Sequence, residues 1–324
     1  DYFPAVGVLA ALDNSEKKPD EARARLEAAI KRQPANVQAY QMLLELRASQ
    51  GADKAEQVGI LRRAMDAAPN SPVPSLLLTE FFLRNGENKE ALAVAQKAAA
   101  ALPDNVQLLD ALGRAQSANG EHNQAQASFN RMQSLQPQSA VPYLRMASAS
   151  LIAGDRAAAD KSLRKALELD PKSLEAQQGL ASLAMEDKKP DEALAIARNL
   201  QKQRPKEQVG YVLEGQIYAA DKAWDKAANV LRTGLKEVGT PEVAIRLHEV
   251  LLAAGKKPEA DRLAADWQRG HAKDAAFPFY LGSQALATNS LPDSLREFEH
   301  VLQLQPGNAI ALNNVAWIKG QLGR

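Results

Sequence analysis

The stretch Ser162-Leu163-Arg164-Lys165 has the spacing that can set a serine nucleophile one helical turn from a lysine base. The other motifs such chemistry needs are absent, and the pair falls at the spacing of a solvated helix face. The histidines His122, His248, His271 and His300 include no pair at i+3 or i+4, so none presents two imidazoles to one metal along a helix. Carboxylates such as Asp20 and Glu21 are adjacent. Adjacent residues point to different parts of a helix, which suits helix starts better than paired acid–base work. Cysteine is absent, which excludes thiol catalysis, disulfides and Cys-ligated zinc. There is no phosphate-binding loop and no G-x-G-x-x-G. The reading is a non-enzyme with no catalytic residue, cofactor or metal.

The elements that would carry any site are helices. Of the 324 residues 45% are apolar and 24% charged, with few aromatics (5%), and the chain is rich in strong helix formers. Lys plus Arg is 40 against 39 for Asp plus Glu, so the charge balance predicts no nucleic-acid footprint. No run approaches the length of apolar sequence that spans a bilayer, so no transmembrane segment is expected. The chain opens Asp1-Tyr2-Phe3-Pro4, without a start methionine or visible signal peptide, as a processed or excised segment would.

Three ladders share one period. Pro34, Pro69, Pro103, Pro137, Pro171 and Pro205 are spaced by 35, 34, 34, 34 and 34 residues, and Pro306 follows 101 later. Each ends an apolar helical run, which proline cannot continue. Gly51, Gly86, Gly120 and Gly154 lie midway between prolines, where a helix C-terminus needs left-handed backbone. Ala91, Ala125, Ala159, Ala193 and Ala227 recur every 34 residues, small enough for two helices to approach closely, with Phe129, Leu163, Leu231 and Phe298 in register on the same face. Lys17-Lys18-Pro19-Asp20-Glu21-Ala22 recurs as Lys188-Lys189-Pro190-Asp191-Glu192-Ala193: proline in the first helical turn, acids at the positive end of the helix dipole.

A 34-residue helix-turn-helix with these stations resembles the tetratricopeptide repeat. Residues 105–138, 139–172 and 207–240 match best, the last with Gly215, Tyr218, Trp224-Asp225-Lys226-Ala227 and Leu231 in register. The resemblance implies an all-α, right-handed α-α superhelix over residues 1–324. Its repeats are near 3–36, 37–70, 71–104, 105–138, 139–172, 173–206, 207–240, 241–274 and 275–307, with a half repeat at 308–324. Between 241 and 307 the pattern lacks one closing proline and slips by a residue. The first helix (Val6, Val8, Leu9, Leu12) and the last (Ala309 to Trp317) lack a polar outer face, so either a longer array or ends that pair with something is expected.

In this family the first helix of each pair lines the concave face. Carried over, that face presents Gln41, Glu45, Glu80, Asp110, Arg114, Ser148, Gln178, Ser182, Gln216, Arg246, Gln284 and Asn313, with Tyr280 and Trp317 as aromatic anchors. The expected partner is a protein or peptide; a merely hydrated helix surface is the plain alternative. Glu45, Glu80, Arg114, Ser148, Ser182 and Gln216 at one recurring station are neither basic nor a repeated code, so nucleic acid is not expected. The Lys and Asn set that clamps acidic chain ends is missing.

Phrases such as Ala68-Pro69-Asn70-Ser71-Pro72, Leu169-Asp170-Pro171 and Ala311-Leu312-Asn313-Asn314-Val315-Ala316-Trp317 are similar to the repeat lipoprotein of bacterial PEP-CTERM/exosortase exopolysaccharide systems. That resemblance implies a periplasmic scaffold, outer-membrane anchored in its full length, working with polysaccharide secretion or protein-sorting machinery. A cytoplasmic location and direct polysaccharide binding stay open as alternatives.

Overall fold

The computed structural model describes residues 3–323. They form nineteen α-helices and no strand among the described residues. Nine antiparallel hairpins follow in chain order: α1 (Phe3–Ser15) with α2 (Pro19–Arg32), α3 (Val37–Ser49) with α4 (Lys54–Ala67), and α5 (Val73–Arg84) with α6 (Asn88–Ala101). Then come α7 (Val106–Ala118) with α8 (His122–Leu135), α9 (Val141–Ile152) with α10 (Arg156–Leu169), and α11 (Leu174–Glu186) with α12 (Pro190–Gln203). The last are α13 (Val209–Ala220) with α14 (Trp224–Val238), α15 (Pro241–Ala253) with α16 (Lys257–Gly270), α17 (Ala276–Ala287) with α18 (Leu291–Leu304), and the unpaired α19 (Ala309–Gln321). This is the α-α superhelix class. No described helix is long and apolar enough to cross a membrane.

One turn chemistry joins the two helices of every hairpin. Lys17, Gly51, Gly86, Gly120, Gly154, Lys188, Lys222, Gly255 and Asn289 take left-handed backbone, with φ between 57° and 82°. The next residue's N–H returns to a carbonyl five back, as from Glu121 to Gln116 and from Ala223 to Tyr218, both 2.8 Å. That bond satisfies a carbonyl the helix leaves open. Between hairpins, the Pro-x-Asn phrases end one helix and cap the next. Asn36, Asn105 and Asn308 accept from the N–H groups of Ala39 (3.3 Å), Leu108 (3.0 Å) and Ala311 (3.0 Å).

Inside a hairpin the helices touch at the alanine ladder: Ala22, Ala91, Ala125, Ala159, Ala193, Ala227 and Ala260 are fully buried. A small residue on the first helix also faces a large one sixteen further on, as with Gly113 and Phe129, Gly215 and Leu231, Gly282 and Phe298, and Ala147 and Leu163 are buried at the same two stations. The α15/α16 hairpin inverts this arrangement. His248 stands in the small-residue place and Ala264 takes the large one, so total volume is conserved and a histidine enters the core.

The chain divides into two compact units, Asp1–Ala176 and Gln177–Arg324. In the first unit α1 packs on α3, α5 on α7 and α7 on α9; in the second α13 packs on α15 and α15 on α17. Of the second helices, α2, α4, α6, α8, α14 and α18 each contact the first helices on either side of them. A row whose members touch each other is the tighter side of a stack, so in each unit the first helices form the inner row.

Candidate functional site

In the first unit, α5, α7 and α9 bring Glu80, Asp110 and Arg114 together. All three line one concavity of about 480 Å3, with Leu76, Leu83 and Val141 among its apolar walls. Arg114 Nη2 donates to Glu80 Oε2 (2.8 Å), and Arg84 Nε donates to the other oxygen (2.9 Å). Arg145 Nε donates to Asp110 Oδ1 (2.6 Å). Burial pulls the Glu80 carboxyl up, but the bonds from Arg84 and Arg114 outweigh it and leave it below the usual carboxylate range. These pairs are half-exposed, worth about 0.2–1 kcal/mol each, so they fix side-chain positions more than they hold the fold. Ser148 lies exposed on α9 and lines a neighbouring concavity together with Arg114.

The other sequence-derived residues stand apart from this cluster. Glu45 lines a small concavity between α1 and α3, and Gln41 is half-buried on α3. Gln178, Ser182, Gln216 and Asn313 are exposed on α11, α13 and α19, with Ser182 Oγ 3.4 Å from a Glu186 oxygen. Trp317 is half exposed on α19. Gln284 is exposed on α17 and lines a polar concavity with His248.

Arg246, Tyr280 and Gln284 differ from the rest in register: Gln284 stands five before Asn289, where Glu45, Glu80, Arg114, Ser148, Ser182 and Gln216 stand six before their turn residues. Counted back from the left-handed turn residue, Gln41, Asp110 and Gln178 stand ten before it, whereas Arg246 and Tyr280 stand nine before. One residue rotates a side chain by about 100° around the helix. Arg246 accordingly ion-pairs with Glu242 (2.8 Å) and Glu249 (3.0 Å) of its own helix. The Tyr280 hydroxyl meets His248 Nδ1 at 2.9 Å, and its ring packs edge-on against that imidazole. Burial raises the Tyr280 phenol. Burial also lowers His248, with Asp261 pulling it up and Lys257 pushing it down.

Residue spacing alone had not singled out Arg145 or Ser117. Arg145 lies 35 residues after Asp110, as Arg114 lies 34 after Glu80. Opposite charges about one repeat apart are thus the signal for an ion pair between neighbouring first helices. Ser117 is 7% exposed and its hydroxyl has no partner. Nothing in its surrounding sequence marks it.

The serine–lysine phrase holds no nucleophile arrangement: Lys165 is exposed and donates to Glu168. No group of three or more His, Cys, Asp or Glu that could hold a metal occurs among the described residues.

Residues 9–72 and 150–214 match tetratricopeptide-repeat family models. No curated protein matches the sequence. Among solved structures the chain is similar to yeast Tom70, with a TM-score of 0.55 at 14% identity over 88% of this chain and 59% of that one. It is also similar to the Cut9–Hcn1 hetero-tetramer of the APC/C (TM-score 0.46, 16% identity, 95% of this chain and 54% of that one). A third is a tetratricopeptide repeat protein from Parabacteroides merdae (0.47, 14%, 98% of each chain). The chain spans less than two thirds of the first two proteins. The Tom70 likeness bears on the fold alone. The two matched segments are tetratricopeptide repeats, and the remaining described hairpins repeat their helix-turn-helix geometry.

Proposed function

We propose that this chain is a non-catalytic scaffold that binds an extended peptide segment of a protein partner along the inner row of first helices. Within each unit the stacked hairpins leave a continuous surface, and repeat proteins use such surfaces for partners. The observation that carries the reading is the concavity over α5, α7 and α9. Its apolar walls, Leu76, Leu83 and Val141, are framed by side chains already held in place by the pairs Glu80–Arg114 and Asp110–Arg145. Apolar walls supply affinity, and pre-positioned polar groups set direction and specificity.

The test is panning of a random-peptide display library on the purified chain. Enriched peptides are expected to lose binding to Val141→Asp and to keep it for Lys97→Glu on α6. Val141 is exposed at the first position of α9, where an aspartate suits the helix dipole, so the variant stays folded. Absence of enriched peptides, or binding that responds to Lys97 and not to Val141, would reject the reading.

The repeat phrases of the sequence support a periplasmic setting in exopolysaccharide secretion or protein sorting. Its test is the genomic neighbourhood, where polysaccharide-export genes are expected beside this one.

A further inference from the structure

We infer that the inner row between α7 and α9 is a carboxylate-binding subsite, taking an aspartate or glutamate side chain from within an extended peptide whose neighbouring residues are apolar. The inference rests on the groove reading above and names the chemistry of its occupant.

A second concavity, of about 290 Å3, adjoins the first and shares Leu83 and Arg114 with it. Arg114 and Arg145 both line it, and no carboxylate does among the described residues. Each guanidinium has five N–H donors in a fixed fork. Arg114 commits one Nη2 hydrogen to Glu80, and Arg145 commits its Nε hydrogen to Asp110. Nε and Nη1 of Arg114, and both Nη groups of Arg145, make no other hydrogen bond among the described residues. The existing pairs hold the guanidinium planes, so little side-chain freedom is lost when an anion arrives.

A second observation points the same way. Ser117, more than nine-tenths buried, lines this concavity, and its hydroxyl is unpartnered. A buried hydroxyl without a partner is a standing cost, which a ligand oxygen would remove. The two lining guanidiniums (Arg114, Arg145) balance the two lining carboxylates (Glu80, Asp110), and Arg84, which lines neither concavity, adds a third cation on Glu80. Bidentate guanidinium–carboxylate contact is the geometry this fork favours.

Apolar surface lies on both sides of the cations. Leu76, Leu83 and Val141 line the larger concavity, and the exposed Ile152 lies at the other end. A bound chain therefore runs on past the carboxylate in both directions, which fits an internal acidic side chain and not a chain end.

The experiment uses the whole chain and short synthetic peptides of alternating leucine and alanine. One carries a central glutamate and its twin a glutamine, both acetylated and amidated, and a third carries glutamine with a free terminal carboxylate. Titration calorimetry should show the glutamate peptide binding about tenfold or more tightly than its glutamine twin. The advantage should shrink as NaCl rises from about 0.05 to about 0.5 M. Arg114→Gln and Arg145→Gln should each bring the two amidated peptides level. Because Arg145→Gln leaves Asp110 unpaired, the double variant Asp110→Asn/Arg145→Gln repeats the test without an orphaned carboxylate.

Glutamate and glutamine peptides binding within about twofold of each other would overturn the inference. If both then fail on Val141→Asp, the groove reading stands alone; if neither responds to Val141→Asp, the groove reading falls as well. Preference for the free-terminus peptide over the amidated glutamate peptide would overturn the internal source. Binding by none of the three overturns the inference and leaves the groove to the library result.

Discussion

Gly113→Ala isolates the packing rule that builds each hairpin. A Cβ on Gly113 would sit 2.3 Å from Cε1 and 2.6 Å from Cζ of Phe129, more than an ångström inside ordinary contact. The ring is 1% exposed and closed in by Leu109, Met132 and Met146, so it has no free space to enter. Overpacking costs about 1–3 kcal/mol, and an overlap of more than an ångström against an enclosed ring belongs at its upper end, about 2–3 kcal/mol. Alanine returns about 1 kcal/mol through helix propensity. The net expectation is a loss of about 1–2 kcal/mol, confined to α7 and α8 and the helices packed on them. The following hairpin shows the remedy, since Ala147 and Leu163 hold the same two stations there and both are buried. Transplanting that pair as Gly113→Ala/Phe129→Leu should recover most of the loss, giving a coupling energy of about 1 kcal/mol or more. Repeat arrays need not unfold in one step, so a single melting temperature is a poor readout. Amide hydrogen exchange resolved to α7 and α8, with urea titration by circular dichroism, measures the local change. Unchanged protection in Gly113→Ala, or a double variant no better than the sum of the singles, would refute the packing argument.

Two further outcomes follow from single backbone and side-chain observations. Lys188 and Lys222 hold φ of 59° and 57° where other hairpins place glycine, so Lys188→Gly and Lys222→Gly should each stabilise by about 0.5–1 kcal/mol: the left-handed strain of about 1–2 kcal/mol is relieved, less the extra unfolded-state freedom of glycine; protection lower than wild type at those turns in exchange measurements would contradict this. Burial lowers the folded-state pKa of His248, so the unfolded chain binds the proton more readily; stability of α15–α17 is full above the ordinary imidazole value near 6.5 and falls as pH drops below it, and His248→Gln should flatten that profile in urea titrations run across the window.

The hairpins were legible in the sequence because their punctuation is local. Pro103-Asp104-Asn105 ends one helix and caps the next within three residues, and both halves are observed: Asn105 accepts from Leu108 N–H directly after the proline turn. Gly120 is equally local, since left-handed backbone after a helix is a property of one residue. The glycine ladder nevertheless marks only some of the turns. Lys17, Lys188, Lys222 and Asn289 occupy the same conformation without advertising it. A turn is fixed by the two helices it joins as well as by its own residue, and packing such as that of Ala184 on α11 with Ala193 on α12 can hold Lys188 where glycine would be easier. The same cause explains the slip in the later repeats. Counting from prolines places Arg246 and Tyr280 on the inner row, but helix phase is set at the turn, so Gly255 and Asn289 decide it.

The site was less legible, because its geometry arises between repeats. Glu80 and Arg114 could each be assigned to the inner row from their own station in the period. Their pairing needs the distance between successive first helices, which no window of one repeat contains. Once the period is known the rule becomes usable: a residue and its opposite charge about one period on face each other, as do Glu80 with Arg114 at 34 and Asp110 with Arg145 at 35. The outer helices obey a looser form of it, with Glu27 and Arg63 at 36 and Asp225 and Lys256 at 31. Ser117 shows where the rule stops. Its lack of a partner is a property of how Asn88, Ala118 and the two arginines settle around one concavity, with Asn88 donating to the Ala118 carbonyl at 2.8 Å and leaving the hydroxyl aside. A donor set that is over-supplied in one place and a carboxylate that is missing from the same place are visible only after the helices are stacked, and it is this imbalance, not any single residue type, that gives the inner row its chemical preference.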